Sequence, residues 1–186
     1  MARTTLILNG SPRPHGNTVA LISQLRRFLD GTVVELFAFR SEIAPCMDCR
    51  GCWTTAKCVV KDRMQIIYDD DFDNIVSASP VYYGTLPGAV LSVMSRLQPW
   101  HVAKFFLNQP LKQRPKKSAA ILTAGGKGNQ KNAQHHLGAF FRMVNAEGFY
   151  EHTVCSPHTD TIPAWEDRAA MEGVAELAKW LNRSDV

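Results

Sequence analysis

The chain has 186 residues, of which 45% are hydrophobic and 20% are charged, and its formal net charge is +4. This composition is typical of a soluble globular protein, and we expect one domain over residues 1–186. No apolar run approaches the roughly 20 residues that cross a bilayer, and the N-terminus lacks the pattern of a secretion signal, so we expect a cytoplasmic protein without a membrane partner.

Short β-branched or apolar runs alternate with amphipathic helical patterns along the chain. We predict strands at Thr4–Asn9, Thr32–Phe37, 74–79, 118–123 and 149–155. Apolar residues recur at helical spacing within 21–29, 90–97, 137–144 and 171–181. Strands that alternate with helices predict a parallel sheet covered by helices on both faces, because right-handed crossovers return each helix to the sheet.

A basic cluster precedes the predicted fourth strand, at Lys112, Arg114, Lys116 and Lys117. The rest of the positive charge is scattered, so we expect this cluster to be a solvated loop and predict no nucleic-acid partner.

Residues 9–18 follow the first strand and open the first helix with the sequence NGSPRPHGNT. The first-turn N–H groups, the hydroxyls of Ser11 and Thr18, the Asn17 amide and the Arg13 guanidinium can converge there on one phosphate. The loop lacks the glycine pattern of dinucleotide sites and the Lys-Ser or Lys-Thr of nucleotide triphosphate sites. The alternative is an ordinary turn whose polar side chains cap the helix.

Two further loops follow the third and fourth strands, at residues 79–88 and 123–129. The first offers aromatic surfaces between prolines, and the second offers glycines that let backbone N–H groups approach a planar ligand. Because ligands bind beyond the carboxyl ends of the strands in such folds, the loops together predict a site for a phosphate and a flat ring. Taken singly, each loop could also be a tight turn.

Four of the five cysteines lie close together, at Cys46, Cys49, Cys52 and Cys58. This spacing is close to that of loops that hold a 4Fe-4S cluster, although a zinc site or unliganded thiols are also consistent with it.

These motifs together resemble the NADPH-dependent FMN reductase group of flavodoxin-like proteins, particularly its iron-sulfur-flavoprotein-like branch. The resemblance covers roughly the first 130 residues and rests on residues 10–13, 16–18, 80–84 and 87–88, on Arg96 and the glycines at 125–126, and on the cysteine block with Asp62 and Met64. It implies a three-layer flavodoxin-like α/β sandwich with a five-stranded parallel sheet in the order 2-1-3-4-5.

By that resemblance, FMN is the expected cofactor and NADPH or NADH the expected reductant, with the flavin carrying the chemistry and no catalytic side chain. The phosphate would lie on the first loop, with the following cofactor-binding residues: Ser11, Arg13, His15, Gly16, Asn17 and Thr18. The ring would lie along the other two loops, at Pro80, Val81, Tyr82, Tyr83, Gly84, Thr123, Ala124, Gly125 and Gly126.

The resemblance implies an oxidoreductase that passes electrons to a small-molecule acceptor such as a flavin, a quinone or an iron complex. The alternative is an electron carrier, of flavodoxin or iron-sulfur flavoprotein type, without direct nicotinamide turnover. We also expect a homodimer or homotetramer, for which the aromatic insertion with Trp100, Phe105 and Phe106 offers a contact surface; the alternative is that these aromatic residues cover the protein's own sheet.

Overall fold

The computed structural model describes residues 3–40, 43–127 and 129–184, and strands alternate with helices along them. The strands are β1 Thr4–Asn9, β2 Thr32–Phe37, β3 Asn74–Pro80, β4 Lys116–Thr123, β5 Ala146–Glu147 and β6 Thr153–Ser156. The helices are α1 Asn17–Arg26, α2 Cys52–Thr55, α3 Gln65–Asp69, α4 Gly88–Ser95, α5 Gln98–Phe105, α6 Lys131–Met143 and α7 Arg168–Asn182.

The strands form one parallel sheet in the order β2-β1-β3-β4-β5, with β6 also paired to β4. β1 lies next to the edge strand β2, with which it pairs along its whole length, and it pairs on its other side with β3 from Thr5 to Asn9. The predicted strand order and the flavodoxin-like α/β fold are therefore confirmed. The carboxyl ends of β1, β3 and β4 meet at one edge of the sheet, where the loops at residues 10–16, 81–87 and 124–130 begin.

Each face of the sheet carries a hydrophobic core. On one face, Ile7, Val76 and Ile121 pack against apolar residues of α1 and α7, including Leu21 and Val174. On the other face, the buried residues come from the sheet, α4, α6 and the segment around α3. The two cores hold the sheet rigidly between helices. Among the described residues, no helix combines the length and apolar character needed to span a membrane.

The predicted fifth strand at 149–155 is wrong in its first half, because the chain forms two short strands in its place. β5 pairs with the start of β4, and β6 pairs with the end of β4. Between them, Gly148 has a φ of 97°, which breaks the extended backbone. Phe149 is buried with its ring 5.1 Å from that of Phe141 on α6. The apolar side chain of Phe149 therefore packs into the core from a turn and does not mark a strand.

The basic cluster is also different from the prediction of a solvated loop, because β4 begins at Lys116 and both of its lysines are buried. The Lys116 ammonium lies 2.6 Å from the carboxylate of Asp70. Burial lowers the pKa of Lys116, and the contact with Asp70 acts against that change. The Lys117 ammonium donates to the carbonyls of Trp180 and Arg183 at the end of α7, where the helix dipole favours a cation.

Candidate functional site

The loop after β1 is held in place by its own polar side chains. The Ser11 backbone N–H donates to the Asn9 side-chain oxygen at 2.8 Å. The Ser11 hydroxyl accepts from the Arg13 N–H at 3.2 Å and is also placed to donate to the Arg13 carbonyl at 3.1 Å. Gly10 is packed closely between α4 and β3, since a Cβ there would be 2.6 Å from the Val90 side chain and 2.8 Å from the Ser79 hydroxyl. The loop is thus shaped before any ligand binds.

Helix α1 begins without a side-chain cap, so the capping alternative for this loop is wrong. Gly16 is the N-cap residue, and no side chain accepts from the first-turn N–H groups. The Asn17 amide instead joins the loop after β6, accepting from the Ala164 N–H at 2.9 Å and donating to the Thr159 carbonyl at 3.3 Å. The Thr18 hydroxyl is buried 2.8 Å from that of Thr123. The first-turn N–H groups therefore stay available to an anion.

The loop after β3 is a tight turn that lifts aromatic side chains above the sheet edge. Tyr82 and Thr85 exchange two backbone hydrogen bonds, and the two residues between them, Tyr83 and Gly84, have φ values of 52° and 76°. This is the pattern of a turn with positive φ at both central positions, which a tyrosine rarely adopts. Tyr83 is fully exposed. The Val81 N–H donates to the Thr123 carbonyl at 2.7 Å, which fixes this loop to the end of β4.

The loop after β4 is bound to the segment that follows β6. The Thr159 N–H donates to the Ala124 carbonyl, and the His158 N–H donates to the Gly126 carbonyl. A Cβ at Gly125 would lie 2.2 Å from the Asp160 carboxylate, whereas a Cβ at Gly126 would meet open space. Packing therefore accounts for the glycine at 125, while the glycine at 126 leaves room for a ligand.

These loops surround one cleft of about 420 Å³ at the carboxyl edge of the sheet. Most of the predicted cofactor-binding residues line it, namely Ser11, Arg13, Gly16, Asn17, Thr18, Pro80, Val81, Tyr82, Tyr83, Thr123, Gly125 and Gly126. The described lining does not include His15, Gly84 or Ala124. His15 is exposed, Gly84 lies in the turn, and Ala124 is buried beneath the β4 loop. Gly128 lies outside the described residues.

Thr159 and Asp160 also line the cleft, and sequence reasoning missed them. They follow the carboxyl end of β6, and a Thr-Asp-Thr sequence that begins four residues after the last predicted strand was the available signal. Among the described residues that line the cleft, Arg13 is the one cation and Asp160 the one anion. An anionic ligand is therefore expected to lie at the Arg13 end, where the α1 dipole adds to the attraction.

The four clustered cysteines line a second, smaller pocket on the cysteine loop, which we define as residues 44–62. Cys46 and Cys49 are exposed, whereas Cys52 and Cys58 are partly buried. Burial raises the pKa of Cys52, and the nearby cysteines act in the same direction. Within the described residues, no three Cys, His, Asp or Glu side chains stand where they could hold a metal ion. The donor set of four cysteines is nevertheless the one that iron-sulfur clusters use.

Arg96 is buried beneath the cysteine loop and binds it at several points. Its guanidinium lies 2.6 and 3.2 Å from the two carboxylate oxygens of Asp62. It also donates to the carbonyls of Ala44 and Val60 and to the sulfur of Cys58, the last at 3.4 Å. Burial acts to raise the pKa of Asp62, but the hydrogen bonds from Arg96 and from the Met64 N–H outweigh it and hold that pKa below its ordinary value.

Comparison with known proteins agrees with this geometry. The family model described as NADPH-dependent FMN reductase matches residues 4–158. An iron-sulfur flavoprotein of Methanosarcina thermophila is 29% identical to this chain over an alignment of 190 residues. The alignment covers 94% of this chain and 91% of the relative. An iron-sulfur flavoprotein of Methanocaldococcus jannaschii is 30% identical over 100 residues, and this match covers 51% of the chain and about half of the relative, 52%.

Solved structures show the same fold at low sequence identity. An FMN-dependent NADH-azoreductase from Bacillus anthracis, solved in complex with FMN, superposes with a TM-score of 0.67. The two chains are 13% identical, and the superposition covers 97% of this chain and 100% of the azoreductase. This structural likeness shows the fold, whereas the family relationship rests on the match to the family model.

Proposed function

Since the chain belongs to the NADPH-dependent FMN reductase family, we propose that it is an FMN-dependent oxidoreductase that uses NADPH or NADH as reductant. The electrons pass to a small-molecule acceptor such as a flavin, a quinone or an iron complex. When bound, FMN supplies the hydride and electron chemistry, so the protein contributes binding, orientation and electrostatics.

The single observation that carries this proposal is the cleft formed by the loops after β1, β3 and β4. It combines an uncapped helix N-terminus, a cation and exposed aromatic rings within about 420 Å³. That volume lies within the range of small-molecule and cofactor sites. These features fit FMN, which joins a phosphate to a flat ring.

At the phosphate end, we assign the anion to the first turn of α1 and to Arg13. The first-turn N–H groups have no side-chain cap, and Arg13 lines the cleft from the loop that leads into α1. The paired hydroxyls of Thr18 and Thr123 join the base of the phosphate loop to the β4 loop. Because the backbone of this loop and the Thr18–Thr123 pair are fixed before binding, little of their conformational entropy is lost when the phosphate binds.

At the ring end, we assign the flavin to the surface formed by the β3 and β4 loops. Tyr82 and Tyr83 present aromatic faces, and Gly126 leaves open space in which a ring can approach the backbone. Backbone N–H groups of the β4 loop are suited to stabilise negative charge on a reduced ring. The exposed side of the cleft is left for the nicotinamide and the acceptor.

The proposal predicts that the purified protein is yellow and that NADPH or NADH bleaches its flavin absorbance under nitrogen. The measurement is the visible spectrum of anaerobically purified protein before and after addition of each nucleotide. Addition of a quinone to the bleached sample is expected to restore the absorbance. Tightly bound FMN that stays oxidised with both nucleotides would contradict the reductase assignment.

A second candidate function, an iron-sulfur flavoprotein electron carrier, is favoured by the four cysteines that line one pocket. Two similar proteins are named iron-sulfur flavoproteins, which also supports this candidate, and the alignment with one of them covers 94% of the chain. Cys46, Cys49, Cys52 and Cys58 would hold the 4Fe-4S cluster, which would supply one-electron transfer beside the flavin. The same anaerobic sample separates the candidates, since a carrier contains iron and sulfide near four per chain and oxidises nicotinamide negligibly.

We also propose that the protein forms a homodimer or homotetramer through its aromatic insertion. Trp100 packs against Tyr68 and the core, but Phe105 and Phe106 are each more than half exposed. The Trp53 ring lies 4.7 Å from that of Phe106, which extends the exposed apolar surface. Light scattering at micromolar concentration is expected to give a mass of two or four chains, and a clean monomer would contradict this proposal.

A further inference from the structure

We propose that Arg96 is a positioning residue of the cysteine loop, which fixes Cys58 as the anchored sulfur of the four-cysteine pocket. The inference rests on the proposed iron-sulfur function for the ligand, but the anchoring itself concerns residues of this chain alone. Arg96 is 2% exposed, although it immediately follows α4, most of whose residues are only partly buried or exposed. A cation is rarely buried so completely unless its surroundings use it.

One guanidinium joins the two ends of the loop. One of its terminal nitrogens donates to the Ala44 carbonyl at 2.9 Å and to the Asp62 carboxylate at 2.6 Å. The same carboxylate accepts from the Ala44 N–H at 3.3 Å, so Ala44, Asp62 and Arg96 form a closed ring of hydrogen bonds. The ring sets the separation of residues 44 and 62, between which all four clustered cysteines lie.

The other terminal nitrogen of Arg96 reaches Cys58. It donates to the Cys58 sulfur at 3.4 Å and to the Val60 carbonyl at 3.3 Å. The Tyr68 hydroxyl donates to the Arg96 carbonyl, which connects the backbone of this arginine to α3. The sulfur of Cys58 is therefore held against the buried Arg96 guanidinium, and hydrogen bonds to cluster sulfurs are one means by which proteins set cluster potentials.

The opposite side of the pocket is built differently. Cys46 and Cys49 are exposed. Asp48, which lies between them, and Arg50, which follows Cys49, have positive φ values of 49° and 57°. The Cys46 N–H donates to the Ser95 hydroxyl, but its sulfur is free of hydrogen bonds to Arg96. The geometry assigns Cys58 to the fixed side of the pocket and places Cys46 and Cys49 on its exposed side.

Thiol labelling of the cluster-free, FMN-loaded protein tests this assignment. In the wild-type protein we expect iodoacetamide to modify Cys46 and Cys49 quickly and Cys58 slowly, as read by mass spectrometry. In R96K, whose ammonium cannot reach both ends of the loop, we expect Cys58 to react roughly tenfold faster or more. Cys155 lies on β6 away from the loop, so its labelling rate serves as the internal control and is expected to stay unchanged.

The double variant R96M/D62N separates positioning from a merely structural contribution. It removes the buried ion pair without leaving an unpaired charge, so it is expected to fold, and retained FMN absorbance reports that it has done so. Positioning predicts that Cys58 still reacts roughly tenfold faster than in the wild type, and that iron and sulfide bound after reconstitution fall well below the wild-type value. A folded double variant with wild-type Cys58 protection and iron content would overturn the proposal.

The two proposals fail in different ways. If the wild-type protein takes up no iron and sulfide under anaerobic reconstitution, the iron-sulfur function fails, while the labelling result still decides whether Arg96 fixes Cys58. If the wild-type protein binds the cluster and both variants match it in labelling and iron content, the positioning assignment of Arg96 fails alone.

Discussion

Replacement of Arg13 by alanine is expected to weaken FMN binding roughly 10- to 100-fold, the equivalent of one charge-assisted hydrogen bond to the phosphate. Arg13 is the one cation among the described residues of the cleft lining, and its side chain is exposed, so its loss leaves no buried charge unpaired. The protein is therefore expected to fold normally. Fluorescence quenching of FMN on titration with apoprotein measures the dissociation constant.

Two controls make the Arg13 experiment specific. H15A removes the other basic side chain of the same loop, which does not belong to the described lining, and we expect its FMN affinity to stay within about twofold of wild type. Riboflavin lacks the phosphate, so R13A and the wild-type protein are expected to bind riboflavin equally. Equal FMN affinity of R13A and the wild-type protein would place the phosphate elsewhere.

Replacement of Gly31 by alanine is expected to lower the free energy of unfolding by about 2 to 4 kcal/mol. Gly31 joins α1 to β2 with a φ of 81°, which disfavours any residue with a Cβ. A Cβ there would lie 2.1 Å from the Arg3 carbonyl oxygen. That oxygen accepts from the Thr32 N–H at 2.8 Å, so the clash also disturbs the first hydrogen bond between β1 and β2.

Urea unfolding measures this loss, and G88A is the matched control. Gly88 is the first residue of α4, its φ is not positive, and a Cβ there would meet open space. Alanine is expected to leave stability unchanged there or to raise it by up to about 1 kcal/mol, because it restricts the unfolded chain. A G31A midpoint equal to that of G88A would show that the turn relaxes without cost.

The sequence was sufficient to predict the strands whose apolar runs are uninterrupted. The bounds of β1 and β2 match the prediction, and β3 extends it by one residue to Pro80. The start of β4 was predicted two residues late because lysines usually stay solvated. Here the Lys116 ammonium finds Asp70 and backbone carbonyls in the interior, and no local pattern reveals partners so distant in the chain.

The candidate site was predicted to the extent that its residues follow strands one, three and four. The convergence of these loops in one cleft follows from parallel topology. Thr159 and Asp160 were missed because the prediction assigned no ligand loop to the last strand. The binding of FMN by these residues and the extent of the domain stay predictions.

The division of the fifth strand has a consequence for how the molecule behaves in a crowded solution. An outermost strand with a long unbroken row of N–H and C=O groups can recruit a strand of another chain and start aggregation. On this side of the sheet the row is interrupted between Glu147 and Thr153, and β6 extends over four residues only. The turn around buried Phe149 therefore blunts this edge of the sheet and disfavours the pairing of another chain along it.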